Sequence, residues 1–139
     1  MMLMEPLANI QDFVVQGGQA VTAGEVAAFR NHLAAYKLKA ETLELEGQSV
    51  LREEVQFLLR YIEDVLDDVF VPADFSALPE AVFAVRYVAR GVDIIPDSVP
   101  DIGWSDDAAV VGAVIAGHQE EFLKFCDTVG LKLPGAIKG

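Results

Sequence analysis

The chain has a single cysteine, Cys126, among its 139 residues, and it is short of basic side chains. One cysteine cannot form a disulfide within the chain, which fits a reducing compartment, so we expect a cytoplasmic protein. Ten lysines and arginines stand against 22 aspartates and glutamates, a formal net charge of −12. Such a surface repels nucleic-acid phosphates and anionic lipid headgroups. Nucleic-acid binding is therefore not expected, and membrane association is disfavoured without being excluded.

Long hydrophobic segments are also missing. The longest uncharged apolar run, residues 108–117, has ten residues, whereas a membrane-spanning helix needs about 20. The first residues have neither a basic segment nor a long apolar one, so no signal peptide is expected. The two histidines, His32 and His118, do not form a closely spaced pair of zinc ligands. With 53% apolar residues the chain can nevertheless bury a core, and its length fits one domain.

The apolar residues recur every three or four positions, which predicts an all-α fold, a single-domain bundle of about five helices. A short helix is expected over residues 6–16, with Gly17 and Gly18 ending it. Thr22 and Glu25 have the spacing of a capping box, in which each side chain accepts a hydrogen bond from the other residue's backbone. A long helix should therefore begin here.

The next segment predicts a helical hairpin. Gly47 is expected to close the long helix, and Ser49 is the expected N-cap of a second amphipathic helix that ends before Pro72. Two such helices joined by a short turn favour antiparallel packing. The predicted hairpin packs on an apolar helix–loop–helix formed by the rest of the chain. The resulting division is residues 1–21 (short helix and linker), 22–71 (hairpin), 77–129 (helix–loop–helix) and 130–139 (loose tail).

Within the helix–loop–helix, residues 92–103 are expected to be an extended loop, because residues before proline avoid helical geometry. Ser105 is the expected N-cap of a fifth helix running to about Val129. Small residues four apart on that helix allow another helix to approach closely, and its first half is apolar on every side. That half is therefore either central in the bundle or covered by a partner. The small residues are Ala109, Ala113 and Gly117.

The segment VDIIPDSVPDIGWSDD, residues 92–107, holds five aspartates and no basic residue. One interpretation is structural: the carboxylates accept backbone hydrogen bonds, complement a helix N-terminus, or pair with Arg86 and Arg90. A second is a site for Mg²⁺ or Ca²⁺, the candidate ions for oxygen ligands. A third is docking of a basic partner, with Trp104 as anchor or, alternatively, as a plug for the core. The candidate metal ligands are Asp93, Asp97, Asp106 and Asp107.

The same region resembles the YkvA-like family of bacterial helical proteins over about residues 77–117. The family pattern is a tyrosine, a spacer, Asp-x-Ile-Pro-Asp, a proline, a glycine and an Asp-Asp pair. The matching positions are Tyr87, Asp93, Ile95, Pro96, Asp97, Pro100, Gly103, Asp106 and Asp107. The family has no established activity, so the resemblance implies a helical fold and a place of interest but no reaction.

Three functions stay open. The best-supported hypothesis is a non-catalytic cytoplasmic helical module that binds a protein partner or self-associates, without a cofactor. An alternative is a divalent-cation-dependent phosphohydrolase that uses the acidic segment. Another alternative is a peripheral membrane-associated protein, against which the net charge argues.

Overall fold

The structure is a computed structural model that describes residues 6–45, 47–94 and 100–134, with side chains for residues 10–43, 45, 47–89 and 107–134. The described residues are mostly helical and form no strand, which confirms the all-α prediction. They divide into more segments than the five predicted. The segments are α1 (Pro6–Ala20), α2 (Ala23–Ala28), a 3₁₀ helix (Phe29–His32), α3 (Leu33–Leu45), α4 (Ser49–Leu66), α5 (Ala77–Ile94), α6 (Pro100–Gly117) and α7 (Gln119–Val129).

The first helix runs through the two glycines that were expected to end it. Both glycines lie against α5: a Cβ atom at Gly17 would sit 2.4 Å from the ring of Phe83, and one at Gly18 would sit 2.4 Å from Cγ of Glu80. The prediction was wrong because these glycines serve close approach between helices, a role that local sequence does not distinguish from helix termination.

The capping box of Thr22 and Glu25 is present as predicted. The long helix expected after it is interrupted by the 3₁₀ helix at residues 29–32. Gly47 adopts a positive φ of 77°, as a helix-ending glycine should. The N-cap of α4 is Gln48 and not Ser49, which is the first helical residue.

The loop predicted over residues 92–103 is wrong at both ends of that range, which are helical. Helix α5 continues to Ile94, and α6 begins at Pro100. Ile95 and Val99, the residues before the two prolines, lie outside the described residues, and Pro100 suits a first helical turn because its missing N–H has no helical partner there. Ser105 is thus inside α6 and not its N-cap. The two aspartates that follow Ser105 lie beyond the first turn, where the helix dipole no longer favours them.

The fifth predicted helix is broken. α6 ends at Gly117, His118 has non-helical dihedrals (φ −129°, ψ 36°), and α7 begins at Gln119. The break turns His118 into the joint between two helices. It also places the two large buried rings of α7, Phe122 and Phe125, around Tyr61 of α4.

Helix α6 is central: it packs against α5, α1 and α4. The row of small residues faces α1 in part, since Gln11 Nε2 donates to the Ala113 carbonyl (3.2 Å) and Gln11 Oε1 lies 3.2 Å from the Cβ position of Gly117. Ala109 is exposed. Burial in the bundle therefore accounts for the large apolar side chains described on this helix, Val110, Val111, Val114 and Ile115.

The segment after α7 is less loose than expected, because Leu131 and Leu133 pack half-buried against the core. Residues 135–139 of the predicted tail lie outside the described residues. No helix in the described ranges combines the length and the apolar character needed to cross a bilayer.

Candidate functional site

The acidic segment lies at the ends of α5 and α6. The side chains of Asp93, Asp97 and Asp106 lie outside the described residues, so the predicted metal site stays a prediction. Asp107 is described and is buried, with 2% of its surface exposed. Among the described side chains, no group of three or more acidic, histidine or cysteine residues could hold a metal ion.

Two motif residues on α5 are described, and both contact the N-terminal helices. Arg86 lies 3.9 Å from Glu25 at the start of α2, and the predicted pairing of Arg86 with Asp93 or Asp97 lies outside the described residues. Tyr87 packs edge-on against Phe13 of α1 and beside Phe83. The other motif side chains fall outside the described residues, namely Arg90, Pro96, Pro100, Gly103 and Trp104.

A polar cluster that the sequence did not predict surrounds His118 at the joint between α6 and α7. Its Nδ1 atom lies 2.8 Å from Oδ2 of Asp74, and its Nε2 atom lies 2.9 Å from Oε1 of Glu80. Asp74 belongs to the α4–α5 loop, which is defined here as residues 67–76, and Glu80 to the first turn of α5. One imidazole ring therefore connects three separate elements.

Glu121, in the first turn of α7 and three residues after His118, also binds the α4–α5 loop. Its Oε1 atom accepts hydrogen bonds from the backbone N–H groups of Ala73 and Asp74 (3.1 Å each). Its Oε2 atom accepts one from the Tyr61 hydroxyl (2.8 Å). A carboxylate buried this deeply is tolerated because three donors replace its water shell.

The electrostatics of the cluster follow from these contacts. The hydrogen bond to Glu80 raises the pKa of His118, burial opposes the shift, and the hydrogen bond to Asp74 reinforces it. Partial burial of Asp74 is outweighed by hydrogen bonds from Ser76 and His118, which hold its pKa below the ordinary value. Burial, together with the hydrogen bond to Glu121, raises the pKa of Tyr61, so its hydroxyl stays a donor.

The sequence carried only a weak signal for this cluster. Glu121 occupies a position in the apolar stripe of α7, three residues after His118 and four before Phe125. A charged residue on a buried stripe indicates a paired or hydrogen-bonded group. That signal could have identified Glu121 as a hydrogen-bonded residue. The neighbouring sequence does not reveal its hydrogen-bond partners, which lie 47 to 60 residues away in the chain.

The α4–α5 loop exposes three large apolar side chains. Val71 and Phe75 are 79% and 80% exposed, and Val69 is also exposed. The backbone beneath them is held in place, because Phe70 packs in the core and Asp74 accepts hydrogen bonds from the N–H (3.0 Å) and hydroxyl (2.7 Å) of Ser76. Fixed loops that present large apolar side chains are typical of contact surfaces.

A cleft of about 460 Å³ lies elsewhere, between α4 and residues 131–134. Its polar lining includes Glu53, Arg60 and Lys132, and its apolar lining includes Phe57 and Leu131. Acidic-segment residues are not part of this lining, so the cleft does not provide the substrate pocket that a metal-dependent phosphohydrolase built on that segment needs.

Comparison with protein families places part of the helix–loop–helix in a known family. Residues 78–113 match the model of DUF1232, a family described as protein of unknown function. YkvA-like proteins belong to this family, so the resemblance noted in the sequence is confirmed for this segment. Searches among curated proteins and among solved structures found no match. The matched residues include Glu80 but end before His118 and Glu121.

Proposed function

We propose that the protein is a non-catalytic helical interaction module that docks a basic, amphipathic helix of a partner protein on its α4–α5 loop. The observation that supports this most directly is the exposure of Val71 and Phe75 on a loop fixed from inside the bundle. The cytoplasmic location expected from the sequence fits such a role.

The loop is pre-organised for binding. Glu121 fixes the backbone at Ala73 and Asp74. The backbone N–H groups of Val69 and Phe70 each donate to the Asp64 carbonyl, at 2.8 and 3.2 Å. A partner that covers Phe75 therefore does not have to order the loop first, which removes part of the entropic cost of association. Burying a side chain of this size contributes about 1.5–3 kcal/mol.

The charge of the surface selects the kind of partner. The loop contains Asp67, Asp68 and Asp74 and no lysine or arginine. Arg30 pairs with Asp67 and His118 with Asp74, and Asp68 adds a third carboxylate to a loop without lysine or arginine. A partner with lysines or arginines beside apolar residues complements this surface and is steered towards it, whereas a second copy of a chain with net charge −12 is repelled.

The proposal can be tested with a synthetic peptide of roughly 18 residues, or five helical turns, that carries leucine on one face and lysine on the other. We expect chemical-shift changes of the ¹⁵N-labelled protein to concentrate on residues 69–76. Phe75→Ser should weaken binding, measured by calorimetry, by about tenfold or more, since tenfold corresponds to about 1.4 kcal/mol. A peptide with glutamate in place of lysine should not bind.

Leu45→Ser is the matched control. Leu45 is an equally exposed leucine (84%) at the end of α3, and its replacement should leave the affinity unchanged. The proposal is wrong if the peptide does not bind, if the acidic peptide binds as well, or if Phe75→Ser and Leu45→Ser have equal effects. Binding to neutral vesicles that depends on Phe75, without peptide binding, would instead indicate a membrane role.

A further inference from the structure

His118 makes two contacts that together favour a protonated ring. A neutral imidazole has one N–H group and one lone pair, whereas both ring nitrogens of His118 face a carboxylate oxygen at hydrogen-bonding distance, 2.8 Å to Asp74 and 2.9 Å to Glu80. Both contacts are favourable only when both nitrogens carry hydrogen. Removal of one proton turns one of them into a repulsion between a lone pair and an anion.

The two carboxylates differ in how easily each can exchange its contact with His118 for a contact with water. The side chain of Glu80 is 7% exposed and lies under Gly18 of α1, so it has no access to water as an alternative. The side chain of Asp74 is 41% exposed and joins His118 to Ser76, because Oδ2 faces the ring while Oδ1 accepts both hydrogen bonds from Ser76. The remaining N–H of a neutral His118 should therefore stay on Glu80, and the contact to Asp74 should open.

We propose that His118 is a proton-operated latch: the protonated ring holds the Asp74 side chain, and with it the turn at residues 74–76, in its binding-competent form, and the neutral ring releases that side chain while Glu121 keeps the backbone at Ala73 and Asp74 in place. This inference rests on the proposed function, because Phe75 lies between Asp74 and Ser76, the two residues whose hydrogen bonds the latch controls. Deprotonation thus lowers the affinity of the loop for its partner without unfolding the bundle.

The groups that face His118 agree on the direction of the response. The loop contributes Asp74, α5 contributes Glu80, and α7 contributes Glu121, which contacts the backbone of the loop. The α4 helix contributes the Tyr61 hydroxyl, which is bound to Glu121, and α1 contributes the uncharged Gly18. In the described part of the chain, lysine and arginine do not pair with Asp74, Glu80 or Glu121, so the surroundings favour the imidazolium form.

The pKa of His118 sets the direction in which the latch responds to pH. The pKa of His118 is raised in the folded protein, chiefly by the hydrogen bond to Glu80. The latch is therefore fully closed below the usual histidine value of about 6.5 and opens as the pH rises through the higher folded value.

The first arm of the test uses the free protein and so does not depend on the proposed function. Long-range ¹⁵N–¹H spectra between pH 5 and 10 report the protonation of each ring nitrogen, and a His32→Gln variant removes the only other histidine signal. We expect both nitrogens of His118 to be protonated at pH 6, and the Ser76 amide to shift with the same midpoint as the ring. A neutral ring at pH 6, or a Ser76 amide that does not follow the ring, would refute the latch.

The second arm measures affinity for the lysine–leucine peptide below and above the midpoint found in the first arm. We expect weaker binding above it, and we expect Asp74→Asn to remove the part of the change that follows the ring. Equal affinity on both sides, with a titrating ring, refutes the regulation and leaves the proposed function intact. No binding on either side refutes the proposed function, while the latch is still judged by the first arm.

Discussion

The Tyr61 hydroxyl is the most informative single group to remove from the buried cluster. Tyr61→Phe deletes one donor to Glu121 and leaves the aromatic ring, which packs edge-on against Phe122 and Phe125. A hydrogen bond to a charged acceptor contributes about 1.5–3 kcal/mol, and the carboxylate left behind stays buried with only its two backbone donors. We therefore expect the free energy of unfolding to fall by about that amount.

Urea unfolding followed by circular dichroism measures this change, with the slope of the transition showing whether the unfolded state has altered. Tyr36→Phe is the control, because Tyr36 also stacks on an aromatic ring, that of Phe29, but its hydroxyl makes no hydrogen bond with the described residues. Its replacement should change stability by less than about 0.5 kcal/mol. Equal effects of the two substitutions would show that the Glu121 bond contributes nothing, and the account of the cluster would then be wrong.

Two further predictions concern packing and burial. Gly17→Ala should destabilise the protein by about 1–3 kcal/mol because its Cβ atom overlaps the Phe83 ring. Gly24→Ala in α2 should stabilise it slightly, because its Cβ atom would lie at an ordinary contact distance, 3.9 Å, from Oγ1 of Thr22; thermal unfolding separates the two. Burial, aided by the charge of Glu53, raises the pKa of Glu54, so this group favours folding at low pH and that advantage is lost as the pH rises through its folded value. The free energy of unfolding of Glu54→Gln, measured with urea, should therefore exceed that of the native chain by more at pH 8 than at pH 4. An equal difference between the two proteins at both pH values would contradict this.

Signals that act over one helical turn were predictable from the sequence. Thr22 and Glu25 cap α2 as their spacing indicates, and Gly47 takes the positive φ that a helix-ending glycine supplies. Gly17 and Gly18 were misread because the same residue type serves chain reversal and close helix contact. Only the position of α5, some 60 residues later, decides between these two roles.

The polar cluster was not predictable because its members come from distant parts of the chain. Tyr61, Asp74, Glu80, His118 and Glu121 belong to α4, the α4–α5 loop, α5, the α6–α7 joint and α7. Each is an ordinary residue in its local context. They meet at the helix break at His118, whose ring contacts Asp74 of the loop and Glu80 of α5.

The acidic segment and the His118 cluster are separate features of one scaffold. Asp107 and His118 are eleven positions apart along α6, which corresponds to about 16 Å of helical rise, so the two regions lie towards opposite ends of that helix. The family match covers α5 and most of α6 but stops before His118. A ligand bound at the acidic end would therefore not contact His118, whose protonation is governed by Asp74 and Glu80. The scaffold can thus carry the latch and the exposed loop at one end whether or not the other end binds an ion.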